Sequence, residues 1–151
     1  MPKFAIERRV RHSAERMFDL VADCEAYPRF LPHCAGLAVT GRGVEDGREV
    51  LVADMTVAYG PARETFTTRD VLDRERLTID VTYLDGPFRH FDSRWQFEPV
   101  DEDSSVVRFA VDYEIRSRVL AALAGPVIER SFRKFAEAFE ARADDVYARA
   151  A

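Results

Sequence analysis

Two cysteines and three histidines are few for a chain of 151 residues, and that scarcity removes whole classes of function. They are too few for a structural zinc site unless carboxylates join them. No glycine-rich phosphate loop, no paired-histidine metalloprotease motif and no nucleophile elbow occurs. No run approaches the ~20 apolar residues that span a bilayer, and no apolar segment follows a basic start, so no secretory signal is expected. Surplus positive charge is missing too: 22 Lys and Arg stand against 27 Asp and Glu, for a formal net charge of −5. That balance excludes DNA as a partner and disfavours a broad electrostatic grip on anionic lipid. The short basic clusters Arg8-Arg9-Arg11 and Arg130/Arg133/Lys134 are interleaved with acids and read as solvated faces. These absences predict a cytoplasmic protein with free thiols, in which a Cys24–Cys34 disulfide is not expected.

What is present is the material of one globular domain over residues 1–151, with 47% hydrophobic and 32% charged residues. A chain of this length buries roughly 70% of its unfolded surface. Phe4, Ile6 and Val10 alternate as a first strand. Ser13 follows as an N-cap, with Arg16 at the box position where an acid would complete the motif. Met17, Phe18, Leu20 and Val21 then form one helical stripe. Asp23 and Pro28 bracket the end of that helix, and Tyr27–Pro32 can form a second short turn before Gly36.

From Leu37 the period changes to two. Leu51, Ala53, Met55, Val57 and Tyr59 share a face, which Val71 continues after a Gly60-Pro61 turn. Leu77, Ile79, Val81 and Tyr83 make another strand, closed by Asp85-Gly86-Pro87. Phe91, Trp95 and Phe97 alternate with His90, Asp92, Arg94 and Gln96, and Val107, Phe109, Val111, Tyr113 and Ile115 complete the series. Short turn segments between these runs predict an antiparallel meander. The final third is helical: Ser117 can cap a segment with Leu120, Leu123, Val127, Ile128, Phe132, Phe135, Phe139, Ala143 and Val146 on one stripe. At ~1.5 Å per residue it would reach about 45 Å, with a kink or break expected at Gly125-Pro126. Three phenylalanines on its buried face call for a concave apolar partner, which a curved antiparallel sheet supplies. The space left between them is expected to be an apolar pocket.

The segments VADCEAYPRFLPHC (Val21–Cys34), LDGPFRHFDSRWQF (Leu84–Phe97) and FRKFAEAFEARA (Phe132–Ala143), with the strand order between them, resemble the START-like superfamily. Within it the sequence is similar to the branch of coenzyme-Q-binding proteins and bacterial ribosome-association toxins, also labelled polyketide-cyclase-like. His33 departs from that pattern, because relatives often carry an aromatic residue before the cysteine. The resemblance implies an α+β helix-grip fold: a curved antiparallel sheet of about seven strands gripping a long C-terminal helix, with two short helices after strand 1. It also implies a bound hydrophobic small molecule, foremost a polyprenyl quinone such as ubiquinone, with no further cofactor required. On that basis the chain is expected to act as a carrier or chaperone in respiratory electron transport, with transient contact at the inner face of the cell membrane. Helix-grip proteins also include enzymes and regulators, so a binder of the large ribosomal subunit and a cyclase-like enzyme remain as alternatives.

The catalytic candidates are weak. His90, Asp92 and Arg94 line up about 7 Å apart on one strand, but Phe91, Trp95 and Phe97 occupy the opposite face, so the polar row is expected to face solvent. His12, next to a capping serine, is expected at the surface. His33 and Cys34 are adjacent and have no third orienting group, so they read as rim rather than as a dyad. The groove case draws on Tyr27, Phe30 and Leu31 from the loop, Met55 and Val57 from the sheet, and Phe91, Trp95 and Phe97 from the aromatic strand. Phe132, Phe135 and Phe139 come from the helix. Tyr59, Tyr83, Tyr113 or arginines near the mouth are candidate hydrogen-bond partners for a quinone head.

Overall fold

The computed structural model describes residues 3–59, 62–116 and 118–147, with the backbone alone at 59, 62 and 118–128. Strand β1 (Lys3–Val10) leads into helix α1 (Ala14–Ala22) and a 3-10 helix (Cys24–Arg29). Six strands follow: β2 (Cys34–Glu45), β3 (Arg48–Tyr59), β4 (Ala62–Asp73), β5 (Thr78–Asp85), β6 (Phe88–Asp101) and β7 (Ser104–Ile115). Helix α2 (Arg118–Tyr147) ends the described chain. The strands form one curved antiparallel sheet in the order β1-β7-β6-β5-β4-β3-β2, which is the α+β helix-grip arrangement.

Local chemistry explains the joints. The Ser13 hydroxyl accepts from the Arg16 amide at 3.2 Å and starts α1, which buries Ala14, Met17, Phe18 and Val21. Asp46 and Gly47, with φ of 51° and 79°, supply the two left-handed residues that a tight β2–β3 hairpin needs. Bulges at Cys34/Gly36 and Val39/Gly41 in β2, and at Phe88/His90 in β6, bend the sheet around its inner face. Along β6 the alternation is complete: Phe91, Ser93, Trp95 and Phe97 are buried while Asp92, Arg94 and Gln96 are exposed.

Several expectations need correction. His12 is not a surface residue: its ring is 8% exposed and its Nε2 lies 2.6 Å from Asp144 Oδ1, so α2 covers it from 132 positions away. Val71 does not share the face of Leu51. Antiparallel pairing sets Val71 opposite Val50 and puts Asp70 opposite Leu51, so the inner face of β4 is Thr68, Asp70 and Leu72. Leu77 belongs to the β4–β5 turn, with φ of 54°, and β5 begins at Thr78. Helix α2 runs through Gly125-Pro126 without ending there. Val146 is 41% exposed, and Tyr147 instead packs against the core. Gly60-Pro61 and Ser117 lie outside the described residues, as do the side chains of Leu120, Leu123, Val127 and Ile128.

The second half of α2 is tied to the first strand and helix by polar contacts. Arg8 donates to Glu140 Oε1 at 2.5 Å, and the Tyr147 hydroxyl donates to the Arg16 carbonyl at 3.1 Å. Arg133 lies over the Phe4 ring at 5.2 Å. These contacts hold Phe132 and Phe139 against the sheet, where both are buried.

Candidate functional site

Sheet and helix do not close completely. Between them lies a cavity of about 440 Å³, lined by residues of α1, the 3-10 helix, strands β2 to β7 and α2. Its walls are apolar almost throughout. Leu37, Ala53, Met55, Val57, Phe66, Ile79, Val81, Phe88, Phe91, Trp95, Phe109 and Ile115 come from the sheet, and Phe132, Phe135 and Phe139 from the helix.

Aromatic packing sets the shape of the wall. Trp95 stacks on Phe109 with centroids 4.2 Å apart and meets Phe139 edge-on at 5.2 Å. Phe139 in turn receives the edges of Tyr27 and Phe30, both at 5.3 Å. The turn after β5 presses on the same wall. Gly86 has φ of 142°, and a Cβ there would lie 2.6 Å from the Phe66 Cβ, so only glycine fits.

Exposure falls along the cavity. Glu64 is exposed, Val57, Pro87, Phe88 and Phe135 are half-buried, and Val21, Cys24, Asp70 and Trp95 are buried. The open end therefore lies near the last residues of β3, the first of β4 and the β5–β6 connection, and the closed end beneath α1. Glu64 to Asp70 spans six residues of β4, about 20 Å at strand rise.

The closed end is polar. Asp70 accepts from the Thr68 hydroxyl at 2.9 Å and from the Cys24 thiol at 3.7 Å. The Tyr27 hydroxyl, beside Cys24, donates to the Val21 carbonyl. Burial raises the Asp70 carboxyl from its usual acidity to about 6, against the lowering effect of its two hydrogen bonds. Burial, reinforced by the nearby Asp70 charge, pushes the Cys24 thiol up to about 12. Tyr27 is raised for the same leading reason.

A family model described as polyketide cyclase / dehydrase and lipid transport matches residues 10–140. The chain belongs to that family. Among curated relatives of this polyketide cyclase and lipid transport family, the Escherichia coli persistence and stress-resistance toxin PasT is 32% identical over 97% of this chain and 90% of its own length. The Escherichia coli ribosome association toxin RatA is 31% identical over the same shares. A mitochondrial coenzyme Q-binding protein homolog B from Xenopus laevis is 27% identical over 91% of this chain and 56% of its own length. Among solved structures, an 18 kDa protein from Caulobacter crescentus superposes with a TM-score of 0.81 at 29% identity, over 98% of this chain and 99% of that one. A START superfamily protein from Mycobacterium smegmatis gives 0.82 at 23%, over 95% and 98%, and supports the fold alone.

Within this family fold, nine of the groove candidates meet at the cavity: Tyr27, Leu31, Met55, Val57, Phe91, Trp95, Phe132, Phe135 and Phe139. Two do not. Phe30 packs behind Tyr27 and Phe139, and Phe97 lies below Trp95 against Phe18 at 5.9 Å, in filled core. The catalytic candidates lie elsewhere. His90 pairs with Asp112 at 3.0 Å and Arg94 with Asp80 at 2.6 Å, both on the outer sheet face. His33 adopts φ of 65° and docks on β3, its carbonyl accepting from the Ala58 amide at 2.9 Å. Tyr83 does not face the cavity with its hydroxyl, which accepts from the Phe88 amide at 3.0 Å; Tyr113 is buried beside Phe132, and the Tyr59 side chain is outside the described set. No described arginine lines the cavity. The polar residues that do are Cys24, Tyr27, Glu64, Thr68, Asp70, Ser93 and Ser131; hydrophobic alternation marks the face that holds Ser93 but not the one that holds Thr68 and Asp70. A usable signal existed in β4: parity from Phe66 to Leu72 forces Thr68 and Asp70 inward.

Proposed function

We propose that this protein binds a hydrophobic small molecule, a polyprenyl quinone, between the sheet and α2 and carries it by desolvation rather than by turnover. The observation that carries this proposal is the long apolar cavity. Each methylene moved from water onto such walls contributes about 0.8 kcal/mol, so a prenyl tail binds without any catalytic group. The name of the coenzyme Q-binding relative supports the choice of quinone. A binding role also fits the chemistry of the closed end: a thiol raised to about 12 stays protonated at neutral pH and is a poor nucleophile. The loop from Tyr27 to Pro32 runs from the closed end toward His33 and Ala58 beside the open end, and its two prolines suit a stiff rim where the ligand enters. Loading requires transient peripheral contact with the cell membrane, where a quinone resides.

The test is mass spectrometry of an organic extract from folded protein purified out of a quinone-containing host. A prenyl quinone at near-stoichiometric yield is expected. A different lipid in its place would overturn the quinone assignment, and a blank from protein that also refuses added quinone would overturn carriage.

A second reading, ribosome association, is favoured by the names of relatives 31–32% identical across nearly the whole chain. The outer sheet face weighs against broad RNA contact there, because Arg69, Arg94 and Arg108 are already paired with Glu45, Asp80, Glu7 and Glu98. This second role predicts co-sedimentation with the large subunit that is lost steeply as salt rises.

A further inference from the structure

The closed end of the cavity has a hydrogen-bonding polarity of its own. Three donors sit there, and each is directed inward. The Thr68 hydroxyl and the Cys24 thiol both point at Asp70, and the Tyr27 hydroxyl points at the Val21 carbonyl. Beside Asp70, what remains available to a ligand is acceptor capacity, the unused lone pairs of the Asp70 carboxylate and of the Thr68 oxygen; the Ser93 hydroxyl, which also lines the cavity, stands two strands away across Val81. Both residues are buried, and both line the cavity. Among the described residues no cation meets Asp70; its contacts are one hydroxyl and one thiol. A buried carboxylate so thinly solvated gains from one further donor.

We propose that this closed end is a head-group site selecting an apolar molecule that carries a hydrogen-bond-donating hydroxyl, a phenol or hydroquinone, over the same skeleton ending in a carbonyl or ether. The proposal rests on the carriage reading above and refines it: the ligand enters head first, its O–H reaches Asp70, and its tail lies along Phe66, Phe91 and Phe135 toward the open end. For a prenyl quinone couple, the site takes the reduced form. Asp70, raised only to about 6, is an acceptor at neutral pH. A carbonyl or ether oxygen brought to the same place is met by a donor only if Asp70 first takes up a proton, a penalty of about tenfold at pH 7 for a carboxyl of about 6.

Trp95, the single tryptophan of the chain, lines the cavity and reports occupancy by its fluorescence. The probes are a para-alkyl phenol and its methyl ether of equal alkyl length, titrated into delipidated protein at neutral pH. The phenol should bind about tenfold more tightly, the scale of one hydrogen bond to a charged group. In Asp70→Leu the two affinities should converge, and in Asp70→Asn the preference should shrink, with folding of each variant checked by circular dichroism. Tight but equal binding of both probes to the wild type would overturn head-group selection while leaving carriage intact. A preference that survives in folded Asp70→Leu would overturn the assignment to Asp70. Failure of folded wild type to bind either probe would instead overturn the cavity as a ligand site.

Discussion

At the residue scale, Asp70 is a carboxyl group that the fold buries to 6% exposure and supplies with no positive partner. Its folded acidity of about 6 lies above the ordinary value, so between those two points the folded state holds a proton that the unfolded chain releases. Stability from this group is therefore full at low pH, falls as pH rises through about 6, and is flat above. The shift corresponds to roughly 3 kcal/mol of cost for the ionised form. Cys24 and Tyr27, the titratable groups that face it, stay protonated throughout that window because burial raises both. Asp70→Asn should thus be more stable than wild type near neutrality by up to about 3 kcal/mol, with the gain vanishing toward about pH 4. Urea unfolding of both proteins across that range checks it, and a difference independent of pH would contradict the account. Gly86 makes the opposite kind of prediction. With φ of 142° and a Cβ position 2.6 Å from Phe66, Gly86→Ala should cost about 2 kcal/mol or more, measured by thermal melting.

At the element scale, β6 and β4 show why some of this molecule is legible in its sequence and some is not. The inward positions of β6 are Phe91, Ser93, Trp95 and Phe97 and the outward ones are polar, so period two alone reveals the strand and its buried face. In β4 the inward positions are Phe66, Thr68, Asp70 and Leu72, while Val71 points the other way. A cavity wall does not need to exclude polar groups as a close-packed core does, so the alternation that betrays β6 is lost in β4. The same reason hid the polar closed end, while the aromatic wall was visible. His12 was misplaced for a different cause: its cover, Asp144 and Tyr147, arrives from α2 at the far end of the chain. Helix α2 itself combines both situations. Phe139 is buried and, away from the cavity, packed among Tyr27, Phe30 and Trp95, so Phe139→Ala should destabilise by about 3 kcal/mol or more. Phe135, half-buried at the open end, can send a carboxylate toward solvent. Phe135→Asp should therefore keep the fold and lose the hydrophobic ligand, read by circular dichroism beside organic extraction; a folded variant with unchanged uptake would contradict the helix as a wall.

At the scale of the whole molecule, charge and greasiness are segregated. The outer sheet face holds arginines matched to acids across neighbouring strands, as in Arg94–Asp80 and Arg108–Glu7, and such exposed pairs add little stability individually. Among the described residues, no helix is long and apolar enough to cross a membrane. The apolar surface that a closed core would bury is divided instead between the α1 side, where Phe18, Phe97 and Met17 are packed solid, and the cavity, where walls stand open. An unfilled cavity forfeits the dispersion contacts its lining would otherwise make, so a hydrophobic molecule bound there would complete the packing and couple its binding to folding. Ligand at a hundredfold excess over its dissociation constant adds about 2.7 kcal/mol to stability, and for a domain of this size that raises Tm by roughly 5–10 °C. Delipidated protein should therefore melt lower than protein as purified, and adding the extracted lipid back should restore the difference. The rise should be lost in Phe135→Asp, which removes an aromatic wall and sets a charge at the open end, and insensitive to salt, because apolar contact rather than surface charge drives it. A stripped protein whose Tm equals that of the loaded one would mean that the cavity contributes nothing to folding when filled, and the coupling of carriage to stability would fall.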